Sequence, residues 1–129
     1  MTIEKQQLRS GPYKNIYAQA IKVDNILYLS GQVGVDQQGK AGADIVEQTR
    51  LAYENIAAVL SEFGASMDNI VDETMYVTDM NNTMTQAKAV FAERAKAYGG
   101  EPAVCQTLIG VTELVLPDLQ LEIKCVAHL

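Results

Sequence analysis

The sequence predicts an α+β protein in which one mixed sheet carries two helices on a single face. Three observations predict it. Stretches of two-residue alternation stand on either side of two longer stretches with helical spacing, in the order β-β-β-α-β-α-β-β. The last of them, residues 119–126, sorts Leu119, Leu121, Ile123 and Cys125 onto one side and Gln120, Glu122, Lys124 and Val126 onto the other. One side of that strand therefore packs, and the other meets water or a cleft. Finally, 129 residues make a single domain, 1–129, with one core.

Taken in order, residues 4–9 read as a short edge strand and Ser10-Gly11-Pro12 as a break. Residues 17–23 and 26–30 are strands joined by the hairpin pair Asp24-Asn25. Residues 34–42, GVDQQGKAG, form a loop. Asp44 starts the first helix, with Glu47 placed to complete a capping box. Ile45, Thr49, Ala52, Ile56, Leu60 and Phe63 mark its inner face, and Gly64 stops it. Residues 73–77 form the next strand. Asn82 or Thr83 caps a second helix with an apolar face of Met84, Ala87, Phe91, Ala95 and Tyr98, closed by Gly99-Gly100. Residues 104–111 and 119–126 are the final strands, around a Pro117-Asp118 turn signal. Helices interleaved with strands of one sheet suggest that both cover the same face. The other face keeps apolar side chains with nothing left to cover them, so self-association is expected.

Composition narrows the function. Sixteen acids against ten bases give a net charge of -6, a poor basis for nucleic-acid binding, where phosphate contacts dominate. No apolar run approaches the roughly 20 residues of a membrane span. The opening MTIEKQQLRSG lacks the apolar core of a secretory leader, and two cysteines without C-x-x-C spacing suggest a reducing compartment; a cytoplasmic protein is expected. One histidine leaves no histidine-based metal cluster, and no metal or cofactor is expected. Asp68, Asp72 and Glu73 read as a solvated acidic rim.

Several residues can carry chemistry. Glu122 is either a water-activating carboxylate or a solvated strand acid paired with a lysine. Ser30 is a ligand donor or a strand-end hydroxyl, and Tyr17 an interface residue or a ligand contact. Cys105 is a nucleophile or a small packed residue, and Cys125 belongs to the core. His128 sits at the chain end, so a Cys-His dyad is not expected. Lys124 shares a face with Glu122, and either pairs with it or binds an anion; Lys88 is the other cation to follow.

Tyr17-Ala18-Gln19-Ala20, Leu29-Ser30-Gly31-Gln32, Gln48-Thr49-Arg50 through Asn55-Ile56, Tyr76-Val77-Thr78-Asp79-Met80 and Leu121-Glu122-Ile123 together resemble the RidA/YjgF family over residues 17–127. That resemblance implies a chorismate-mutase-like fold and a homotrimer with small-molecule clefts between subunits. It also implies hydrolysis of reactive enamines and imines to a carbonyl product and ammonia. By the same resemblance Glu122 holds the attacking water and Tyr17, Ser30 and Gly31 contact the substrate; on the hydrolase reading Gln106 or Cys105 orients its polar end. The sequence departs from the family pattern in the Gly-Pro pair, displaced here to Gly11-Pro12, in Lys124, where the family commonly has an acid, and at the carboxylate-binding position. The family's carboxylate-binding arginine follows a Pro-Ala pair, and here Pro102-Ala103 leads into Val104, Cys105 and Gln106. Depending on register, Val104 or Gln106 takes its place, and a neutral amide does not replace a bidentate guanidinium. A non-catalytic metabolite-binding trimer is therefore the alternative expectation.

Overall fold

The computed structural model describes residues 2–129. The elements are β1 (Gln6–Leu8), β2 (Ala20–Val23), β3 (Ile26–Leu29), β4 (Gln32–Val33), α1 (Ile45–Ser61), β5 (Ile70–Val77), α2 (Met80–Thr85), α3 (Ala87–Tyr98), β6 (Cys105–Gly110) and β7 (Leu121–His128). The strands make one sheet in the order β1-β2-β3-β7-β5-β6, with β4 beside β7. Among the described strands only β5 and β6 pair in parallel, across the crossover that carries the second and third helices. The last strand is thus central. It lies antiparallel to β3, β4 and β5, and β5 separates it from β6.

The helix-covered face holds the core. Leu121, Ile123, Cys125 and Ala127 of β7 are buried there with Leu27, Leu29, Met75 and Val77 of its neighbours. Ile45, Ala52, Ile56 and Leu60 of α1 pack onto them, as the spacing predicts. Asp44 caps the helix by accepting the Glu47 N–H at 2.8 Å. Only half of the expected capping box forms, because the Glu47 carboxylate is taken by Arg50 one turn on.

Three expectations need correction. Residues 32–33 add a strand, β4, too short to show alternation. The second helix is two helices: Asp79, not Asn82 or Thr83, caps the first by accepting the Asn82 N–H, and the chain breaks at Gln86. That break resets the helical phase. The inner face of α3 is Val90, Arg94, Ala97 and Tyr98, whereas Met84 is 51% exposed. The terminal strand also runs further than expected and includes His128, whose carbonyl accepts from Asn69.

The loop after β4 is pinned to α1. Gln48 is fully buried; its amide donates to the carbonyls of Gly42 and Asp118, and its oxygen accepts the Gln120 N–H. Gly34 lies against the Gln48 backbone so closely that a β-carbon there would collide with it. Gly34→Ala is expected to cost about 1–3 kcal/mol by forcing loop and helix apart. Urea unfolding at fixed protein concentration checks this, and an unchanged midpoint would contradict it.

Candidate functional site

Strand alternation puts Glu122, Lys124 and Val126 on the helix-free face, and the register gives each its row. Glu122 lies opposite Tyr76, Lys124 opposite Thr74, and Val126 opposite Asp72. On the other side Val33 flanks Glu122, and Tyr28 flanks Val126. Among the described residues no element covers this face. On it Tyr28 is 46% exposed, and Tyr17 and Ile109 are exposed as well.

Tyr17 reaches this face from the turn after Gly11-Pro12. Its ring stacks on Tyr13 with centroids 5.9 Å apart, and its N–H donates to the Tyr13 carbonyl. The next residues are tied to the end of β3. Ser30 donates its hydroxyl to the Ala18 carbonyl at 2.7 Å and its N–H to the Gln19 carbonyl at 2.8 Å. The Ser30 proton is therefore committed to the backbone, and toward a ligand its oxygen can serve only as an acceptor. Between these groups lies an open pocket of about 260 Å³ lined by Tyr17, Ala18, Ile21, Tyr28, Leu29, Ser30 and Lys124. Glu122 flanks it. Its carboxylate packs so tightly over Gly31 that a β-carbon there would overlap Oε2, so a side chain at this position would displace the Glu122 carboxylate.

The Glu122 carboxyl is half-buried, and loss of water raises its pKa above the ordinary value; Lys124 pulls it partly back down. A carboxylate in that condition can take and return a proton more readily than a free surface acid.

The structure thus gathers Tyr17, Ser30, Gly31 and Glu122 at one place. It does not bring Cys105 or Gln106 there within the chain. Cys105 is exposed on the open face, but its row is that of Asp72 and Val126. Two strands across and four residues along, it stands roughly 15 Å from Glu122 by sheet geometry. Gln106 points to the helix side and donates to Glu73 at 3.0 Å. The residues that β6 shows to the open face are Cys105, Thr107 and Ile109.

Glu73 departs from the reading of a solvated rim, of which Asp68 and Asp72 are indeed exposed. It is 1% exposed and accepts from Tyr98 at 2.6 Å, Tyr53 at 3.0 Å and Gln106, with Arg94 Nε 3.2 Å from its Oε1. Burial, then the neighbouring carboxylate, push the Tyr53 phenol far above its usual range. In Tyr98 the hydrogen bond to Glu73 follows burial as the cause. The alternation held the signal, since Glu73 is in phase with Met75 and Val77. On α3, Arg94 likewise falls between Val90 and Tyr98 at helical spacing. Among the described residues no group of three His, Cys, Asp or Glu is placed to hold a metal, and no helix is long and apolar enough to cross a membrane.

A helix-backed mixed sheet, with a half-buried carboxylate beside a pocket on its uncovered face, defines a small α+β protein of the chorismate-mutase-like kind. The chain belongs to the family described as Endoribonuclease L-PSP, whose family model matches residues 10–129 and which is the RidA/YjgF family. It is 35% identical to a RutC family protein of Pyrococcus abyssi over 97% of this chain and 92% of that one. It is 30% identical over 86% and 84% to TdcF of Escherichia coli, provisionally named a reactive intermediate deaminase. Among solved structures, a YjgF/YER057c/UK114 family member from Mycobacterium tuberculosis superposes with a TM-score of 0.81 at 27% identity, covering 98% of this chain and all of that one.

Proposed function

We propose that the protein hydrolyses an enamine or imine to a carbonyl product and ammonia, in clefts that three copies form by closing their open sheet faces together. The observation that carries this reading is the Glu122 carboxylate, half-buried on the helix-free face and packed on Gly31 beside the pocket of Tyr17 and Ser30. The name of the Escherichia coli relative supports the same chemistry.

An imine carbon is already electrophilic, so no cofactor is required. Water adds to that carbon while Glu122 accepts its proton, giving a carbinolamine. Glu122 returns that proton to the nitrogen, then takes the hydroxyl proton and delivers it to the nitrogen as well, so that the C–N bond breaks, ammonia leaves and the hydroxyl becomes the carbonyl. Tyr17, Ser30 and the Gly31 backbone hold the substrate, and Cys105 reaches it from an adjoining copy.

A non-catalytic metabolite-binding trimer is the second reading. It is favoured by the open face of β6, where Cys105, Thr107 and Ile109 offer no cation. RNA cleavage, which the family description suggests, is disfavoured by the net charge of -6. Ammonia release from 2-aminoacrylate and related imines separates the first two readings. Acceleration over the uncatalysed rate supports hydrolysis, and saturable binding without acceleration supports the second.

A further inference from the structure

We propose a second binding site, on the helix side of the sheet, for a small aliphatic α-amino acid. It lies between α1 and α3, where Lys96 takes the carboxylate, Glu93 the ammonium, and Tyr53 faces the side chain. The site is separate from the pocket beside Glu122 and does not depend on the hydrolytic reading.

A cavity of about 270 Å³ opens between the two long helices. That is at the low end of ligand pockets, about 300–1,000 Å³, and limits the occupant to a small molecule. Two alanines leave this space: Ala57 of α1 and Ala97 of α3 stand where larger side chains would close the helix pair. Met67, just ahead of β5, adds an adaptable apolar wall. Tyr53 is 2% exposed and fixed. Its hydroxyl donates to Glu73 at 3.0 Å, and its ring meets the Tyr98 ring edge-on with centroids 5.7 Å apart. An apolar surface held in place before a ligand arrives loses little freedom on binding.

The charges around the cavity select the ligand. Four charged residues line it, two of each sign. Arg50 and Glu54 are paired with each other, and Arg50 also with Glu47. Glu93 and Lys96 are not paired: among the described residues neither has an opposite charge within 4.0 Å. They stand three apart on α3, so their β-carbons are roughly 5–6 Å from each other on one face. An ammonium and a carboxylate carried on one carbon fit such a pair, each meeting its opposite charge. A simple anion would also meet Glu93, and a simple amine Lys96, so a zwitterion is favoured over either. The apolar walls beside the pair suit an aliphatic side chain, since a polar one would lose its water there without a partner.

Calorimetry on the purified chain tests this with leucine as the probe, and one leucine is expected to bind per chain. Lys96→Met and Glu93→Gln should each weaken binding by about 2- to 5-fold, the effect of one partly exposed charge pair. Ala57→Phe, at an exposed position, puts a ring into the cavity and should weaken it more than either. 3-Methylbutylamine, which lacks the carboxylate, and 4-methylpentanoate, which lacks the ammonium, should both bind less tightly than leucine. Lys96→Met should leave the affinity for 3-methylbutylamine as it is, because that probe has nothing for the lysine to hold. Absence of leucine binding at millimolar concentration, or binding that both charge variants leave unchanged, would overturn the proposal. So would binding that is lost in Glu122→Gln and kept in Ala57→Phe, since leucine would then occupy the pocket beside Ser30. None of these results bears on imine hydrolysis, which ammonia release decides by itself.

Discussion

Glu73→Leu is expected to lower the stability of the protein by about 3–5 kcal/mol, the range found when one partner of a buried ion pair is removed. The variant keeps the side-chain volume but strips the acceptor from Tyr53, Tyr98 and Gln106. It also leaves Arg94, whose side chain is 13% exposed, without its counter-charge. Arg94 is poorly served by other groups: its Nε and Nη2 are buried, and among the described residues neither has an aligned acceptor. Because the donors come from α1, α3 and β6, this one carboxylate ties both long helices and an edge strand to the centre of the sheet. Pairing the change with Arg94→Met removes the stranded cation, so the double variant should lose less than the two single losses added together. Urea unfolding at matched protein concentration measures all three. A single-variant loss below about 1 kcal/mol, or strict additivity, would show that the cluster does not act as a unit.

Glu122→Gln should leave the fold intact while lowering kcat for imine hydrolysis by about 10²- to 10⁴-fold, the usual contribution of a positioned general base. The amide keeps the shape over Gly31 but cannot accept the proton of water. The pH dependence gives an independent signature. Burial raises the pKa of Glu122 from its ordinary value of 4.5, so the folded protein holds this proton more tightly than the unfolded chain. Between the ordinary and the raised value, stability conferred by the neutral form falls as pH increases. At neutral pH the carboxylate is a desolvated charge, so the glutamine variant should be no less stable than the wild type. On the proposed mechanism catalysis runs the other way, because there the carboxylate is the active form. The rate should rise through the raised pKa on an acid limb lying above 4.5, and the variant should lose that limb. A variant that retains most of its rate, or keeps the limb, would remove Glu122 from the chemistry.

Legibility differed from element to element for physical reasons. The two faces of the last strand were plain, because Leu121, Ile123 and Cys125 alternate with Glu122 and Lys124 without interruption. Helix α1 was equally plain, since a long amphipathic run repeats its signal several times. The pair of residues in β4 repeats nothing. The break at Gln86 is not marked by proline or glycine, so two helical phases merged into one and Arg94 was not seen to point inward. Glu73 was misread from its charge, although its place in the alternation with Met75 and Val77 already put it inside. The Tyr17, Ser30, Gly31 and Glu122 grouping followed from the resemblance, not from spacing, since these residues lie on separate elements that only the sheet register brings together. The same register turns Gln106 away from the pocket toward Glu73, which no local pattern near Pro102 could decide.

The central claim is that the open sheet face is a contact between copies and that the pocket beside Glu122 becomes a shared cleft. The mass of the purified chain in solution, by sedimentation equilibrium or light scattering, tests it most directly. Three times the 14.1 kDa of one chain is the expected result. A species that stays at 14.1 kDa at micromolar concentration would contradict it.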